Sequence, residues 1–452
     1  MARSSALADS LKQRRWQIII LLTMYLGYVG FMLCRNTLIA SSVTMINDPN
    51  LQMDKESYGR LMSYHHAGAI AGKCVTGIAA DVIGGRRMFL AMLGLTAAAT
   101  AAFGAVSSNL LFGVFNFFGQ FFKAGGWPSM AKIIGNWYPK DKYGTVWSII
   151  STSSRVGTML AGFAVFQLLQ YTNWRSAFYM FAGVTALIVI VGYFLLKERP
   201  SDIGVSIDLN EEPERNVGTT EELETVNQAP HPMDTLSIGQ ACLAFAKSGR
   251  VWFISLSIAL LTILMDFIIF IPLYLDEAVG LDSKQAPLGL IAFAGGMFCA
   301  LIATSLFYDR LNKKQLIAAL GGLLTLSCCS VVALWSLGSI GLPEESKFPV
   351  VMIVIFVFGF SISPAYYVPM SVFSVAYGGK HSGLLINNID ICGYAAAMIF
   401  TYFGGSIAMS VGWNVLLSIL LGFTVLALVT MTSFLVLDYR ALITPRRLHQ
   451  VE

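Results

Sequence analysis

Val75-Thr76-Gly77-Ile78-Ala79-Ala80-Asp81-Val82-Ile83-Gly84-Gly85-Arg86-Arg87 runs from an apolar helix end through an acid and two glycines to a basic pair. The pattern returns 228 residues later as Ala303-Thr304-Ser305-Leu306-Phe307-Tyr308-Asp309, followed by Lys313-Lys314. A second echo, Asn173-Trp174-Arg175 against Gly412-Trp413-Asn414, has an offset of 239 residues. Two echoes at nearly the same offset describe a chain made of two similar halves in parallel order. Locally, small residues permit a tight turn, and an acid there can pair with a basic group or cap a helix end.

Composition fixes the setting of these repeats. Of 452 residues, 56% are hydrophobic and only 12% are charged, against about 25% charged in a soluble protein. Such a surface faces lipid. Stretches of about 20 apolar residues span a bilayer as helices, and twelve are present: 16–38, 58–80, 87–107, 110–135, 144–170, 176–196, 250–275, 284–308, 314–338, 348–373, 382–409 and 413–437. Residues 198–248 are unlike them, with Glu211, Glu212, Glu214, Glu221, Glu222 and Glu224 among prolines and no apolar period. The expected organisation is a six-helix bundle over 1–197, a linker over 198–248 and a second six-helix bundle over 249–452. Twenty Lys and Arg fall on the side of the termini and linker and five on the other; the excess marks the cytoplasmic side. The seven cysteines have no metal-ligand spacing and read as small buried hydrophobes.

Parallel six-helix repeats are the plan of the major facilitator fold: all-α, twelve transmembrane helices, two pseudo-symmetric bundles. The turn with Asp81, Arg86 and Arg87, and its echo at Asp309, resembles that superfamily's signature loop. The resemblance implies that the loop gates and does not touch substrate.

The charges left inside the apolar stretches carry the functional signal. They are Arg35, Lys73, Lys123 and Arg155 in the first half and Asp266 and Asp390 in the second, with Lys132 near a helix end where it can snorkel. A charge in mid-membrane costs about 3 kcal/mol or more and faces the bundle interior. Arg35 and Asp266 are 231 residues apart, Arg155 and Asp390 are 235 apart, so each pair occupies nearly equivalent places in the two halves. Cations in one half and acids in the other point to a site between them near the midplane, where this fold binds substrate. Helical spacing adds Tyr28 seven before Arg35, His66 seven before Lys73, a Ser148-Ser151-Thr152 stripe before Arg155, and Asn387 and Tyr394 around Asp390. Phe31 and Phe270 read as packing. Either substrate or Asp390 is the expected partner of Arg155, Lys73 and Lys123. Asp266 and Asp390 are the candidates for proton coupling, because a carboxylate alone in the membrane takes a proton and one beside a cation releases it.

The chain resembles the organophosphate:phosphate antiporter family, which includes glycerol-3-phosphate, hexose-phosphate and glucose-6-phosphate transporters. The carriers are Tyr28 through Arg35-Asn36; Gly72-Lys73; Gly126-Trp127-Pro128, Lys132 and Trp137; Gly144, Trp147-Ser148-Ile149 and Ser151-Thr152-Ser153; and Glu198, Arg199, Pro200 and Asp202 through Gly204. The resemblance implies that Arg35 binds phosphate with Lys73 nearby. It departs in four places. Leu264 stands where the family usually has a second cation, about eight residues before the proline matched by Pro272, while Lys123, Arg155 and Asp390 are extra charges.

These readings point to a secondary transporter that moves a small organic anion by alternating access. The substrate is an organophosphate or a polycarboxylate, a carboxylate siderophore included, with protons as coupling ion. The alternatives are strict exchange against inorganic phosphate, or a transporter-like sensor of such an anion. No enzyme motif stands out: His65, His66 and His381 form no ligand set, no nucleophile–base pair appears, and no cofactor, metal or nucleic acid is implied. The expected setting is a monomer in the lipid bilayer of a bacterial inner membrane, with both termini cytoplasmic.

Overall fold

The computed structural model describes residues 2–139, 142–204, 232–337 and 343–448, so most of the acidic linker lies outside the described residues. The described residues are almost wholly helical: α1 (Ala2–Ala40), α2 (Ser42–Ile46), α3 (Lys55–Ile83), α4 (Gly85–Ala105), α5 (Asn109–Ala124), α6 (Gly126–Trp137), α7 (Tyr143–Leu169), α8 (Trp174–Leu195), α9 (Ile238–Lys247), α10 (Gly249–Asp266), α11 (Ile271–Glu277), α12 (Leu288–Phe307), α13 (Lys313–Leu337), α14 (Glu344–Gly378), α15 (Ser382–Ser410) and α16 (Trp413–Leu448). Every apolar stretch marked in the sequence falls on these helices. By length and hydropathy alone, nine described stretches can cross a membrane, and the longest, 345–410, holds both α14 and α15.

Two of the expected spans are broken. The stretch 110–135 divides at Gly125 into α5 and α6, where a glycine and Pro128, which has no N–H to donate, interrupt the ladder. The stretch 250–275 divides after Asp266, through a 3₁₀ turn over Phe267–Ile269, and resumes as α11 with Pro272 in its first turn. Each break presents a charge at a helix end: Lys123 in the last turn of α5 and Asp266 at the close of α10.

The packing repeats between the halves. α1 packs on α7 as α10 does on α15, α3 on α5 as α12 does on α14, and α4 on α8 as α13 does on α16. The Trp echoes play equivalent parts. Trp174 Nε1 donates to Asp48 at 2.8 Å, and Trp413 Nε1 donates to Glu277 at 2.8 Å. The Trp174 indole, helped by the Asn50 backbone N–H, holds the Asp48 carboxyl below the usual carboxylate range.

Between the halves, α3 lies along α15 and α7 along α12. At the end that carries Trp413, Lys55 Nζ reaches Glu277 at 2.7 Å and Tyr58 donates its hydroxyl to the Ile269 carbonyl at 3.2 Å. A Cβ on Gly405 would lie 2.0 Å from the Lys55 carbonyl oxygen, and one on Gly59 would lie 2.5 Å from that of Thr401. The α3–α15 seam tightens because both helices offer bare backbone there. At the other end the seam opens: Cys74, Val75, Val82 and Ile83 of α3 are exposed, and a Cβ on Gly77 or Gly383 would meet nothing within 4 Å. Gly405→Leu should hold the tight end apart. Overpacking costs about 1–3 kcal/mol, enough to shift the closed population roughly ten-fold. Alkylation of a cysteine placed at Ala408, which is 3% exposed, in an otherwise cysteine-free chain checks this; unchanged protection would contradict it.

The cysteines correct the sequence reading. Only Cys34 is buried, Cys328 is half-buried, and Cys74, Cys242, Cys299, Cys329 and Cys392 are exposed. Apolar neighbours in the sequence mean burial only where the surroundings are water.

Candidate functional site

All of the mid-span charges but Arg155 meet where α5 and α10 break. Arg35 on α1 donates through Nη2 to Asp266 Oδ1 at 3.4 Å and through Nε to His65 Nε2 at 3.3 Å. His66, fully buried, stands with Nε2 3.8 Å from Asp266 Oδ2, and neither ring nitrogen has a hydrogen-bond partner among the described residues. About two helical turns along α3, Lys73 donates to Asp390 Oδ2 at 2.7 Å and lies 5.4 Å from the centre of the Tyr394 ring. The His66 and Tyr394 rings, 6.0 Å apart, join the two ion pairs into one cluster. Both pairs cross between the halves, from α1 to α10 and from α3 to α15.

Around this cluster, Lys123 makes no hydrogen bond or ion pair among the described residues, and the charges that bear on it are those of Arg35, Lys73 and Asp266. Tyr28 is buried, with its ring 5.0 Å from that of Trp127. Asn387 is half-buried and makes no side-chain hydrogen bond among the described residues. Arg155 stands apart. Its Nη1 donates to the Ser151 carbonyl at 2.7 Å and the Ser154 hydroxyl at 2.8 Å, and the guanidinium lies 4.3 Å from the centre of the Tyr367 ring of α14. Asp390, one of the two expected partners of Arg155, is engaged by Lys73 instead. Equivalent positions in two repeats are not thereby in contact.

His65 was not singled out by sequence reasoning, although its Nδ1 lies 3.3 Å from Asn116 Oδ1 while Nε2 faces Arg35. A signal existed: Asn116 lies seven residues before Lys123 on the same face of α5. Tyr367 had none, since its partner Arg155 is on a different element.

The turn with Arg86 is tied inside the first half. Glu198 accepts from the backbone N–H of Gly85 at 2.9 Å and of Arg86 at 2.5 Å, at the positive end of α4. Arg86 in turn donates to the carbonyls of Leu196 at 2.6 Å and Tyr193 at 2.7 Å. Arg87 is exposed, and the side chains of Asp81 and Asp309 lie outside the described residues.

Residues 24–342 match the Major Facilitator Superfamily. A probable hexose phosphate transport protein of Chlamydia trachomatis is 28% identical over 306 residues, 66% of this chain and 66% of that protein, so the chain spans just under two thirds of that relative's length. The membrane sensor protein UhpC of Escherichia coli K12 is 26% identical over 342 residues, 72% of each chain. The glucose-6-phosphate exchanger SLC37A2 of Bos taurus is 26% identical over 214 residues, 42% of this chain and 41% of that one. These are relatives of the organophosphate:phosphate antiporter kind that the motifs of α1, α3 and α5–α7 resemble. In three dimensions a D-xylose-proton symporter superposes with a TM-score of 0.69 at 14% identity, over 93% of this chain and 98% of that one, which shows the shared fold. The sequence match spans well over half of the chain, and the chain belongs to the Major Facilitator Superfamily.

Proposed function

We propose that this multi-pass membrane protein moves a small organic anion, an organophosphate or polycarboxylate, by alternating access linked to protons. One observation carries the reading: Arg35–Asp266 and Lys73–Asp390 both cross between the halves at the level where α5 and α10 break. Broken helices at the midplane of this fold are where substrate and coupling ions meet. Arg35 anchors the anion, with Lys73 and Lys123 beside it, Tyr28, His66 and Tyr394 lining the cavity, and Arg155 and Asn387 at its margin. An arriving anion competes with Asp266 and Asp390 for the same cations, and an acid released from its partner takes up a proton.

The two bundles, 1–197 and 249–452, rock about this level, joined by the linker 198–248. With both termini on the cytoplasmic side of a bacterial inner membrane, the tight seam at Lys55, Glu277 and Trp413 closes the outer face and the open seam faces the cytoplasm. The turns at Asp81, Arg86, Arg87 and Asp309 lie on that cytoplasmic face.

The similarity to UhpC favours a second reading, in which the same site binds the anion and reports it. Counterflow separates the two. Vesicles holding the purified chain and loaded with unlabelled glucose 6-phosphate, glycerol 3-phosphate, 3-phosphoglycerate or citrate should take up the matching label transiently against its gradient. Binding without counterflow for every probe would favour the sensor.

A further inference from the structure

The interface carries more positive charge than its own acids meet. Asp266 is engaged by Arg35 and Asp390 by Lys73. Neither Lys123 nor Arg155 has a carboxylate within ion-pair distance among the described residues. These two cations are in different places. Lys123 belongs with Arg35 and Lys73, whereas Arg155 is held on α7 by Ser151 and Ser154 and covered by Tyr367 of α14. The depth of Arg155 follows from its helix: Thr158, one turn on along α7, accepts from Asn36 Nδ2 at 3.0 Å, and Asn36 follows Arg35. Arg155 therefore lies at a depth similar to that of Arg35.

The guanidinium is held in a particular way. Nη1 is taken by the Ser151 carbonyl and the Ser154 hydroxyl, and one face is covered by Tyr367. Nε and Nη2 have no partner among the described residues, although the residue is only 4% exposed. Those two nitrogens share the edge that forks onto a carboxylate or phosphate with two parallel hydrogen bonds. Cation–π contact uses the face of the group and leaves the edge. A structural arginine would have its buried donors met, since a buried charge with donors unmet is destabilising.

We propose that the Nε–Nη2 edge of Arg155 is a second anion seat, and that the substrate carries two separate anionic groups, one at Arg35, Lys73 and Lys123 and the other at Arg155. The inference rests on the transporter reading above and adds its substrate class. Tyr367 belongs to α14 of the second half, so the seat is lined from both halves. The edge is shut off from solvent in this conformation, and the anion reaches it when α14 stands back.

Affinity of the purified full chain for two matched probe pairs tests this. Glycerol 3-phosphate and 3-phosphoglycerate differ by a hydroxymethyl against a carboxylate. Glucitol 6-phosphate and 6-phosphogluconate make the same comparison over a longer reach. For at least one pair the carboxylate-bearing probe should bind roughly ten-fold tighter or more. Arg155→Gln should bring that ratio close to one, with the loss falling on the two-ended probe. Arg155→Lys, which keeps the charge and loses the fork, should leave an intermediate ratio and serves if Arg155→Gln does not fold. Equal binding within both pairs by the unaltered chain would overturn the second seat while leaving the anion site standing, as would Arg155→Gln weakening both members of a pair alike. If none of the four probes, nor inorganic phosphate, binds the unaltered chain, the anion site itself fails and the second seat with it.

Discussion

Arg35→Ala should abolish transport in a protein that is still expressed and folded. Arg35 holds the centre of the cluster, with Nη2 on Asp266 and Nε on His65; among the described residues no cation of the second half joins it, and Leu264, fully buried, stands where the resemblance expects one. Removing one member of a buried charged contact costs about 2–5 kcal/mol, roughly thirty-fold or more in affinity. Arg35→Lys should also be severely impaired, since an ammonium offers a point charge in place of a planar fork. Uptake of the labelled probes, with size-exclusion profile and thermal stability as controls, checks both. An Arg35 that only neutralises Asp266 would behave differently: the double variant Arg35→Ala, Asp266→Asn would then recover transport. That recovery, or near-normal uptake by Arg35→Ala alone, would remove Arg35 from the substrate site.

Asp266→Asn and Asp390→Asn should each abolish accumulation driven by a pH gradient, and at least one should keep exchange at equilibrium. Both acids are bound to a first-half cation across the interface between the halves, so the proposed rocking would lengthen one or both contacts. Beside Asp266, the imidazole of His66 lies 3.8 Å from Oδ2, and neither ring nitrogen is hydrogen-bonded among the described residues. An asparagine keeps the shape and loses the exchangeable charge. For one proton moved per substrate, about ten-fold accumulation per pH unit is the thermodynamic ceiling, and the two variants should show none of it. If both keep gradient-driven accumulation, neither acid is the coupling group.

The repeat, the helices and the charges that matter were legible in the sequence because lipid imposes hard rules: long apolar runs, and few charges inside them. Arg35 with Asp266 was legible as a pair because the two are equivalent in the repeat and also meet. Lys73 with Asp390 was legible only as one of several pairings open to that acid, since repeat arithmetic matched Asp390 to Arg155, and it says which places match and not which places touch. The breaks at Gly125 and after Asp266 were written in Gly125-Gly126-Trp127-Pro128 and in Pro272, but a twenty-residue hydropathy reading averages across them. The repeated hydrogen bonds of Trp174 to Asp48 and of Trp413 to Glu277 showed only one member in the motif, because each acid comes from a different element. His65 escaped because neighbouring helical positions point about 100° apart, and the spacing that selected His66 turned His65 away from consideration.

The most direct test of proton-linked anion transport is accumulation by the unaltered chain in proteoliposomes with an imposed pH gradient and no phosphate inside. Labelled glycerol 3-phosphate, glucose 6-phosphate, 3-phosphoglycerate and citrate serve as probes. Accumulation of at least one probe that follows the gradient and collapses with a protonophore is the predicted result. Accumulation that ignores the gradient and appears only when phosphate is loaded inside would contradict it.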